Sequence, residues 1–290
     1  MMEITEKTTL RSSILDDLFK DLDSSHRWIR KVLEILVWVP VDRFASISAR
    51  FDATVAREGF RAAMRELLGD LVREVRYTGR EHIPADGPLL IVSNHPGSYD
   101  SLAIAAGLPR DDLKIIASGF PLLRRLPNAR RHLIFTDPQG CSNVSAARAA
   151  IRHLESNGAL LIFPSGRVEP DPAVLPGALE ALRAWSPSVE LFLRRVPQTR
   201  TQIVVVSGVL APVFLRNPLI KLWEGLRDPQ AIAEVTQVIV QMVLSKWVQL
   251  TPQITFDLPS TVDELLREGQ GLYQSLVDRA HHLLADYLAT

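Results

Sequence analysis

The segment "SNHPGSYD" at residues 93–100 places a histidine and an aspartate five positions apart across a turn. A carboxylate that accepts a hydrogen bond from one imidazole N–H fixes the tautomer, leaves the other nitrogen free, and stabilises the imidazolium after proton transfer. His95 and Asp100 could therefore form a general base that deprotonates a hydroxyl or a thiol. The spacing alone is weak evidence, because Asp100 could also cap a helix while His95 is a structural histidine.

The residues before this turn predict a buried strand. Leu89 to Ser93 form a short apolar run, and Pro96 and Gly97 then turn the chain into a helical pattern. In α/β folds, ligands usually bind at the carboxyl edge of the strands. We therefore expect the His95 side chain to leave the sheet where a substrate would bind.

Short apolar runs alternate with helical patterns after Tyr77, which predicts an α/β fold. Candidate strands lie at residues 89–93, 113–117, 132–136, 159–163, 202–207 and 253–256. A helix is predicted over 143–156, with Gly158 as a left-handed cap. Strands separated by helices predict a mostly parallel or mixed sheet that is covered by helices on both faces.

Further helices are predicted on either side of these strands. Apolar residues recur every three or four positions over 42–76, so we divide the chain into an N-terminal helical region, 1–76, and an α/β domain, 77–290. Residues 228–250 are apolar over a broad arc, which fits burial against the sheet, a wall for a fatty chain, or a membrane-facing surface. A single amphipathic helix is predicted over 261–288, capped by Ser260 or Thr261.

Residues 25–41 have the composition of a helix that lies at a membrane surface. Basic residues precede an apolar run with two tryptophans, and the run is shorter than the roughly 20 residues that span a bilayer. Cations and aromatic rings at headgroup level are typical of interfacial helices. Packing against the body of the protein is the alternative. The residues concerned are Arg27, Trp28, Arg30, Lys31, Leu36 and Trp38.

The overall composition excludes several classes of function. The 290 residues include 33 basic and 33 acidic side chains, so no net field attracts nucleic acid, and we expect no such partner. A lone cysteine, Cys141, cannot form an intramolecular disulfide and is typical of a reducing compartment. The N-terminus lacks the basic start and apolar core of a signal peptide, so we do not expect secretion.

Four short blocks, taken in order, resemble the glycerolipid acyltransferase family, which includes 1-acylglycerol-3-phosphate and glycerol-3-phosphate acyltransferases. Asn94, His95 and Asp100 match the first motif of that family, which is Asn-His followed by four residues and Asp. The second block is similar at "IFTDP", where Asp137 is present but Pro138 stands in place of the usual Arg.

The third motif of the family, Phe-Pro-Glu-Gly-Thr-Arg, is matched by Phe163, Pro164, Gly166 and Arg167. Ser165 replaces the Glu, and Glu169 is near enough in sequence to reach the vacant place. The fourth block is similar at residues 203–209, "IVVVSGV". The resemblance spans roughly residues 79–256.

The resemblance implies acyl transfer without an acyl-enzyme. His95 would take the proton of the acceptor hydroxyl, whose oxygen attacks the thioester carbonyl of acyl-CoA or of an acyl carrier protein. Backbone donors of the turn at 163–167 would stabilise the oxyanion, and no metal or other cofactor is implied. The acceptor would be a glycerol phosphate or lysophospholipid-like molecule at the cytoplasmic face of a membrane. The implied substrate-binding residues are Asn94, Phe163, Pro164, Ser165, Gly166 and Arg167.

Four arginines in "PLLRRLPNARRH" could supply the anion contacts that the second block lacks. They are Arg124, Arg125, Arg130 and Arg131. A guanidinium can hold two phosphate oxygens with its planar fork. A solvated basic loop is the alternative interpretation.

Three other classes of protein compete with this interpretation. An α/β-hydrolase would need a Gly-x-Ser-x-Gly elbow, which neither Ser98 nor Ser165 has. A metallohydrolase would need further ligands besides His95 and Asp100. A lipid-binding relative without turnover remains the main alternative, because the third motif is altered, although His95 and Asp100 are both present.

Overall fold

The structure is a computed structural model that describes residues 8–15, 27–118, 121–136, 143–216, 229–244, 247–269 and 271–289. Asp137, Pro138 and Cys141 therefore lie outside the described residues. The same holds for the side chains of residues 27–30, 32, 33 and 36, which include those of Arg27, Trp28, Arg30 and Leu36.

The described residues form a seven-stranded mixed sheet in the order β1-β7-β6-β2-β5-β3-β4. The strands are β1 (Arg76–Thr78), β2 (Leu89–Ser93), β3 (Leu113–Ser118), β4 (Leu133–Thr136), β5 (Ala159–Ile162), β6 (Arg200–Ser207) and β7 (Gln253–Phe256). Strands β2 to β6 run parallel, whereas β7 pairs antiparallel with β6 and parallel with β1. The predicted fold class is confirmed, and β2 and β7 have their predicted bounds.

Helices cover both faces of the sheet. The residues of β2 alternate between the two sides, as the two-residue period of a strand requires. Leu89 and Ile91 join a hydrophobic cluster with the N-terminal helices, and Leu90 and Val92 join the cluster under the C-terminal helices. Both faces of this central strand are therefore buried, which explains its continuous apolar sequence.

The N-terminal region is helical, as predicted, and its helices are α1 (8–15), α2 (Arg27–Glu58) and α3 (Phe60–Leu71). Gly59, at φ 92°, separates α2 from α3 in a conformation that favours glycine. Ala45 and Phe60 belong to the hydrophobic cluster that includes one face of the sheet. The division of the chain at residue 76 stays a prediction.

The remaining α-helices connect or follow the strands. They are α4 (Asp100–Gly107), α5 (Pro121–Arg124), α6 (Asn143–Glu155), α7 (Ala178–Ala181), α8 (Ser188–Arg195), α9 (Pro212–Leu215), α10 (Pro229–Val243), α11 (Val262–Arg267) and α12 (Leu272–Ala289). Helix α6 ends through Asn157, at φ 64°, and not through the predicted Gly158. Gly158 is required for another reason, because a Cβ atom there would lie 2.3 Å from the His153 ring.

The predicted single helix over 261–288 is wrong. The segment forms α11 and α12, with Gly269 and Gly271 both at φ 87° between them. Two left-handed glycines interrupt a helix even though the apolar periodicity continues on either side. The predicted cap at Thr261 is confirmed: its hydroxyl accepts from Glu264 N at 3.3 Å, and the Glu264 carboxylate accepts from Thr261 N at 2.8 Å.

Candidate active site

His95 and Asp100 lie in contact at the carboxyl edge of the sheet. His95 follows the end of β2, and Asp100 is the first residue of α4. The imidazole Nδ1 lies 2.6 Å from Asp100 Oδ2, and the His95 side chain is 28% exposed whereas that of Asp100 is 1% exposed. Since Nδ1 donates to the carboxylate, Nε2 is the nitrogen that can accept a proton from a substrate.

Asp100 combines the two roles that the sequence left open. Besides Nδ1 of His95, its Oδ2 accepts from Gly97 N at 3.2 Å, and its Oδ1 accepts from Ser101 N. The carboxylate therefore holds both the tight turn and the imidazole. The turn packs closely on α10, since a Cβ atom at Gly97 would lie 3.1 Å from the Glu234 carboxyl carbon.

Asn94 does not face the edge of the sheet. Its side chain is buried between strands, where Nδ2 donates to Val206 O at 2.9 Å and Oδ1 accepts from Val206 N at 2.8 Å. The amide thus joins β2 to β6 immediately before residues 95–99, the histidine loop, which connects β2 to α4. These bonds give Asn94 a positioning role, and the substrate contact implied by the resemblance stays a prediction.

The third motif forms a turn beside the histidine. The Phe163 ring stacks on the His95 ring, with centroids 4.4 Å apart and an interplanar angle of 23°. Pro164 is buried, Gly166 adopts φ 63°, and Arg167 is exposed at the end of the turn. Phe163 therefore fixes the ring plane of the proposed base, while Arg167 is accessible to a ligand.

Two of the predicted oxyanion donors are already hydrogen-bonded within the turn. Gly166 N donates to Phe163 O at 3.1 Å, and Arg167 N donates to Ser165 Oγ at 3.4 Å. The Ser165 hydroxyl in turn donates to Arg167 O at 2.8 Å. These two backbone N–H groups stabilise the turn itself, so the structure does not support them as a preformed oxyanion site.

Glu169 clamps the third-motif turn to the histidine loop. The Glu169 carboxylate is buried and accepts hydrogen bonds from His95 N at 3.3 Å and from Trp185 Nε1 at 2.8 Å. The backbone N–H of Glu169 donates to His95 O at 2.7 Å. Burial raises the pKa of Glu169, whereas the hydrogen bonds that it accepts oppose that shift. The glutamate that the motif lacks at Ser165 is thus present four residues later, in contact with the backbone of His95.

Helix α10 supplies two site residues that sequence reasoning missed. Glu234 accepts from the Ser98 hydroxyl at 3.1 Å, and Gln230 Nε2 donates to Pro96 O at 2.8 Å and to Glu169 O at 2.9 Å. Burial raises the pKa of Glu234 to about 7, and the nearby Asp100 charge adds to that shift. The signal was the recurrence of polar residues in an otherwise apolar helix, at positions 230, 234, 237 and 241.

Three carboxyl groups set the protonation of the histidine. Burial alone would lower the pKa of His95, but the Asp100 carboxylate, together with Glu234 and Glu169, outweighs burial and raises that pKa above its ordinary value. The imidazolium that forms after proton abstraction is therefore stabilised. The arrangement is that of a general base with an orienting carboxylate.

The four arginines of the predicted anion cluster are divided between opposite edges of the sheet. Arg124 ends α5, which follows β3, and its guanidinium lies 4.2 Å from the centroid of the Phe135 ring. Arg125 is the next residue, so both follow the carboxyl edge that carries His95. Arg130 and Arg131 immediately precede β4 and lie at the amino edge. The four arginines therefore flank the two ends of β4, and anion binding by Arg124 and Arg125 stays a prediction.

The fold and the site define a class of protein: an α/β protein with a histidine–aspartate pair at the carboxyl edge of its sheet. Residues 74–189 match the model of the family described as Acyltransferase. The matched region includes the first and third motifs, in agreement with the resemblance that the sequence indicates. Helix α10, which contacts the histidine loop, lies outside the matched region.

Two other comparisons were made with known proteins. No curated protein sequence matches the chain significantly. Among solved structures, the chain is similar to that of the 1-acyl-sn-glycerophosphate (LPA) acyltransferase PlsC from Thermotoga maritima. The two share 16% identity, the similarity covers 86% of this chain and 82% of that chain, and the TM-score is 0.49.

Proposed function

We propose that the protein is an O-acyltransferase that moves a fatty acyl group from a thioester donor to a hydroxyl of a glycerol phosphate or lysophospholipid-like acceptor. The observation that carries this proposal is the 2.6 Å contact between His95 Nδ1 and Asp100 Oδ2 within the region that matches the acyltransferase family model. The contact leaves Nε2 as the base, on a partly exposed ring at the edge of the sheet where ligands usually bind.

The reaction needs a single proton carrier. Nε2 of His95 takes the proton from the acceptor hydroxyl as its oxygen attacks the thioester carbonyl carbon. The tetrahedral intermediate then breaks its C–S bond, and the imidazolium returns the proton to the departing thiolate. The products are an ester and a free thiol, His95 is neutral again, and no acyl-enzyme forms. Asp100 holds the tautomer and stabilises the imidazolium throughout.

A phosphate on the acceptor would meet cationic side chains at this edge. Arg167 is exposed on the turn whose Phe163 stacks on His95, and Arg124 and Arg125 follow β3 at the same edge. Charge-assisted hydrogen bonds from guanidinium groups to phosphate are stronger than neutral ones. This placement favours a phosphate-bearing acceptor over a neutral one.

The donor would be acyl-CoA or an acyl carrier protein, and the protein would act at the cytoplasmic face of a membrane as a peripheral or monotopic protein. No helix among the described residues has the length and apolar character needed to cross a bilayer. On α2, Trp38 is partly exposed, and the Arg11 guanidinium lies 4.0 Å from its ring centroid. An aromatic ring with a cation beside it suits the headgroup region of a bilayer.

An acceptor panel tests the proposal. Purified protein is incubated with long-chain acyl-CoA or acyl carrier protein and with glycerol 3-phosphate, a lysophospholipid or a neutral long-chain alcohol, and products are identified by mass. We expect ester formation with a phosphate-bearing acceptor, and a loss of roughly 10²- to 10⁴-fold in kcat for a folded His95→Ala variant. Lipid binding without turnover in every combination would favour the non-catalytic relative.

A further inference from the structure

Helix α10 buries its polar side chains. Gln230, Glu234, Gln237 and Gln241 recur on one face of the helix, and none is more than 8% exposed. Gln237 bonds to Val209 O and Ala211 N, and Gln241 donates to Leu71 O at 2.8 Å. With the contacts of Gln230 and Glu234 described above, these four side chains form a buried, hydrogen-bonded row beside the apolar Ala233 and Met242.

The outer face of the same helix is apolar and exposed. Val235, Ile239 and Val243 recur every four residues, and Leu244 and Trp247 follow the end of the helix. These five side chains are between 37% and 62% exposed. A helix on the surface of a soluble protein normally exposes polar side chains and turns its apolar stripe toward the core. An exposed apolar patch of this kind marks an interaction surface.

Helix α2 continues this apolar surface. The two helices pack together, and a cavity of about 300 Å³ lies between Ile47 of α2 and Met242 of α10. Ile35 and Val39 are 75% and 60% exposed on α2. Arg43 of the same helix lines the cavity. Val39 lies roughly 6 Å and Ile35 roughly 12 Å before it along the helix axis.

Cationic side chains border the apolar residues. Arg43, Arg50 and Arg73 line the cavity, where Asp70 is the one acidic residue among those that line it. Arg50 pairs with Asp70 and with Glu66, and Arg43 and Arg73 are both exposed to solvent. An apolar surface bordered by arginines is complementary to the acyl and headgroup layers of an anionic bilayer.

We propose that the outer face of α10, with Ile35, Trp38 and Val39 of α2, docks on the surface of a lipid bilayer. The proposal rests on the proposed function, which requires a lipid acceptor, and it names the partner of the site. A helix is about 10–12 Å across, side chains included. The histidine loop, which Gln230 and Glu234 contact, would therefore lie one helix diameter from the lipid. An acceptor that stays in the bilayer could reach it.

A pair of variants tests this docking surface. Ile239→Glu combined with Val243→Glu places two carboxylates on the outer face, distant from the contacts of Glu234. Val144→Glu is the matched control, because Val144 is 64% exposed on α6, which packs on the opposite face of the sheet. Binding is measured by co-sedimentation with vesicles of phosphatidylcholine and phosphatidylglycerol. We expect a loss of roughly tenfold or more for the double variant and wild-type binding for the control.

Two further measurements separate the outcomes. Thermal unfolding confirms that the double variant is folded, and Trp247→Ala serves as a second, uncharged variant that should also weaken binding. If both variants bind vesicles as the wild type does, the docking surface is wrong. If the wild type is a dimer in sedimentation velocity without lipid and the double variant is a monomer, the surface is a contact between copies of the chain, which also overturns the proposal.

The activity assay distinguishes this inference from the proposed function. With water-soluble short-chain donor and acceptor, the double variant should keep wild-type turnover, because its substitutions do not touch the site. With acceptor in vesicles its turnover should fall together with binding. Absence of all turnover in the wild type would refute the proposed function, while vesicle binding that depends on Ile239 and Val243 would still support the docking surface.

Discussion

Glu169 and His95 exchange two hydrogen bonds. The N–H of Glu169 donates to the His95 carbonyl oxygen at 2.7 Å, and the N–H of His95 donates to the Glu169 carboxylate at 3.3 Å. The loop after β5 is thereby joined to the loop after β2 at the residue proposed as the base. Trp185 holds the second carboxylate oxygen, so the pair is fixed from both sides.

Glu169→Gln should impair the site without removing the proposed base. Both partners of the carboxylate are N–H donors, and an amide has one acceptor oxygen, so one buried donor loses its partner at a cost of about 1–3 kcal/mol. Loss of the charge should also lower the pKa of His95. We expect a lower free energy of unfolding in urea and a shift of the acid limb of the rate profile to lower pH. The exposed Glu180→Gln serves as control, and equal behaviour of the two variants would contradict the clamp.

Asp100→Asn should change both the rate and its pH dependence. His95 must be neutral to accept a proton, so turnover falls as pH decreases through its raised pKa. Without the carboxylate that pKa should decrease, and the acid limb should move to lower pH. The maximal rate should nevertheless fall, because an amide can favour the wrong tautomer. Rate profiles of kcat/KM against pH test this. If neither the acid limb of the profile nor the maximal rate changes, Asp100 serves only as a helix cap.

Glu234→Gln should stabilise the protein at neutral pH but not at acidic pH. The pKa of Glu234 is raised from 4.5 to about 7, so the folded state binds this proton more tightly than the unfolded state. As pH rises from 4.5 to 7, the free energy of unfolding of the wild type should therefore fall relative to that of the variant, which is always neutral at this position. The fall should be at most about 3 kcal/mol. Urea unfolding at several pH values measures the difference. A difference that does not grow with pH would show that Glu234 titrates normally.

Arg167→Ala should discriminate between acceptors. If Arg167 binds an acceptor phosphate, its loss removes a charge-assisted contact of about 1.5–3 kcal/mol. We then expect kcat/KM to fall roughly 10- to 150-fold with the phosphorylated acceptor and to stay unchanged with a neutral one. Arg130→Ala is the matched control, because Arg130 is exposed at the opposite edge of the sheet. A preference for neutral acceptors that Arg167→Ala leaves unaltered would remove the phosphate site from the proposal.

Continuous apolar runs made most of the sheet predictable. Residues 89–93 are buried on both faces, and a strand of that kind reads as an unbroken hydrophobic segment. Strand β1 escaped prediction because it has three residues, two of them exposed, and forms at the edge of the sheet by pairing with the distant β7. Its pairing depends on tertiary contacts that no local pattern contains.

The candidate site was predictable where it is local in sequence. His95 and Asp100 lie in one turn, so their types and spacing suggested a contact, which the family resemblance then favoured over a helix cap alone. Glu234 follows Ser98 by 136 residues, and its approach depends on the path of α10 across the fold. Buried glutamine and glutamate side chains resemble a solvated helix face in sequence, and only the surrounding loops show that this face is turned inward.

The buried amide of Asn94 substitutes for a peptide group. The pairing between β2 and β6 ends at Ser93 and Val204. Beyond that pair, the chain leaves the sheet as the histidine loop, so its backbone no longer pairs with β6. Asn94 instead offers one donor and one acceptor from its side chain to Val206. The backbone of His95 is thereby released to bond with Glu169, while β6 keeps its hydrogen bonds. A functional loop can leave the centre of a sheet in this way without leaving unpaired backbone groups between two buried strands.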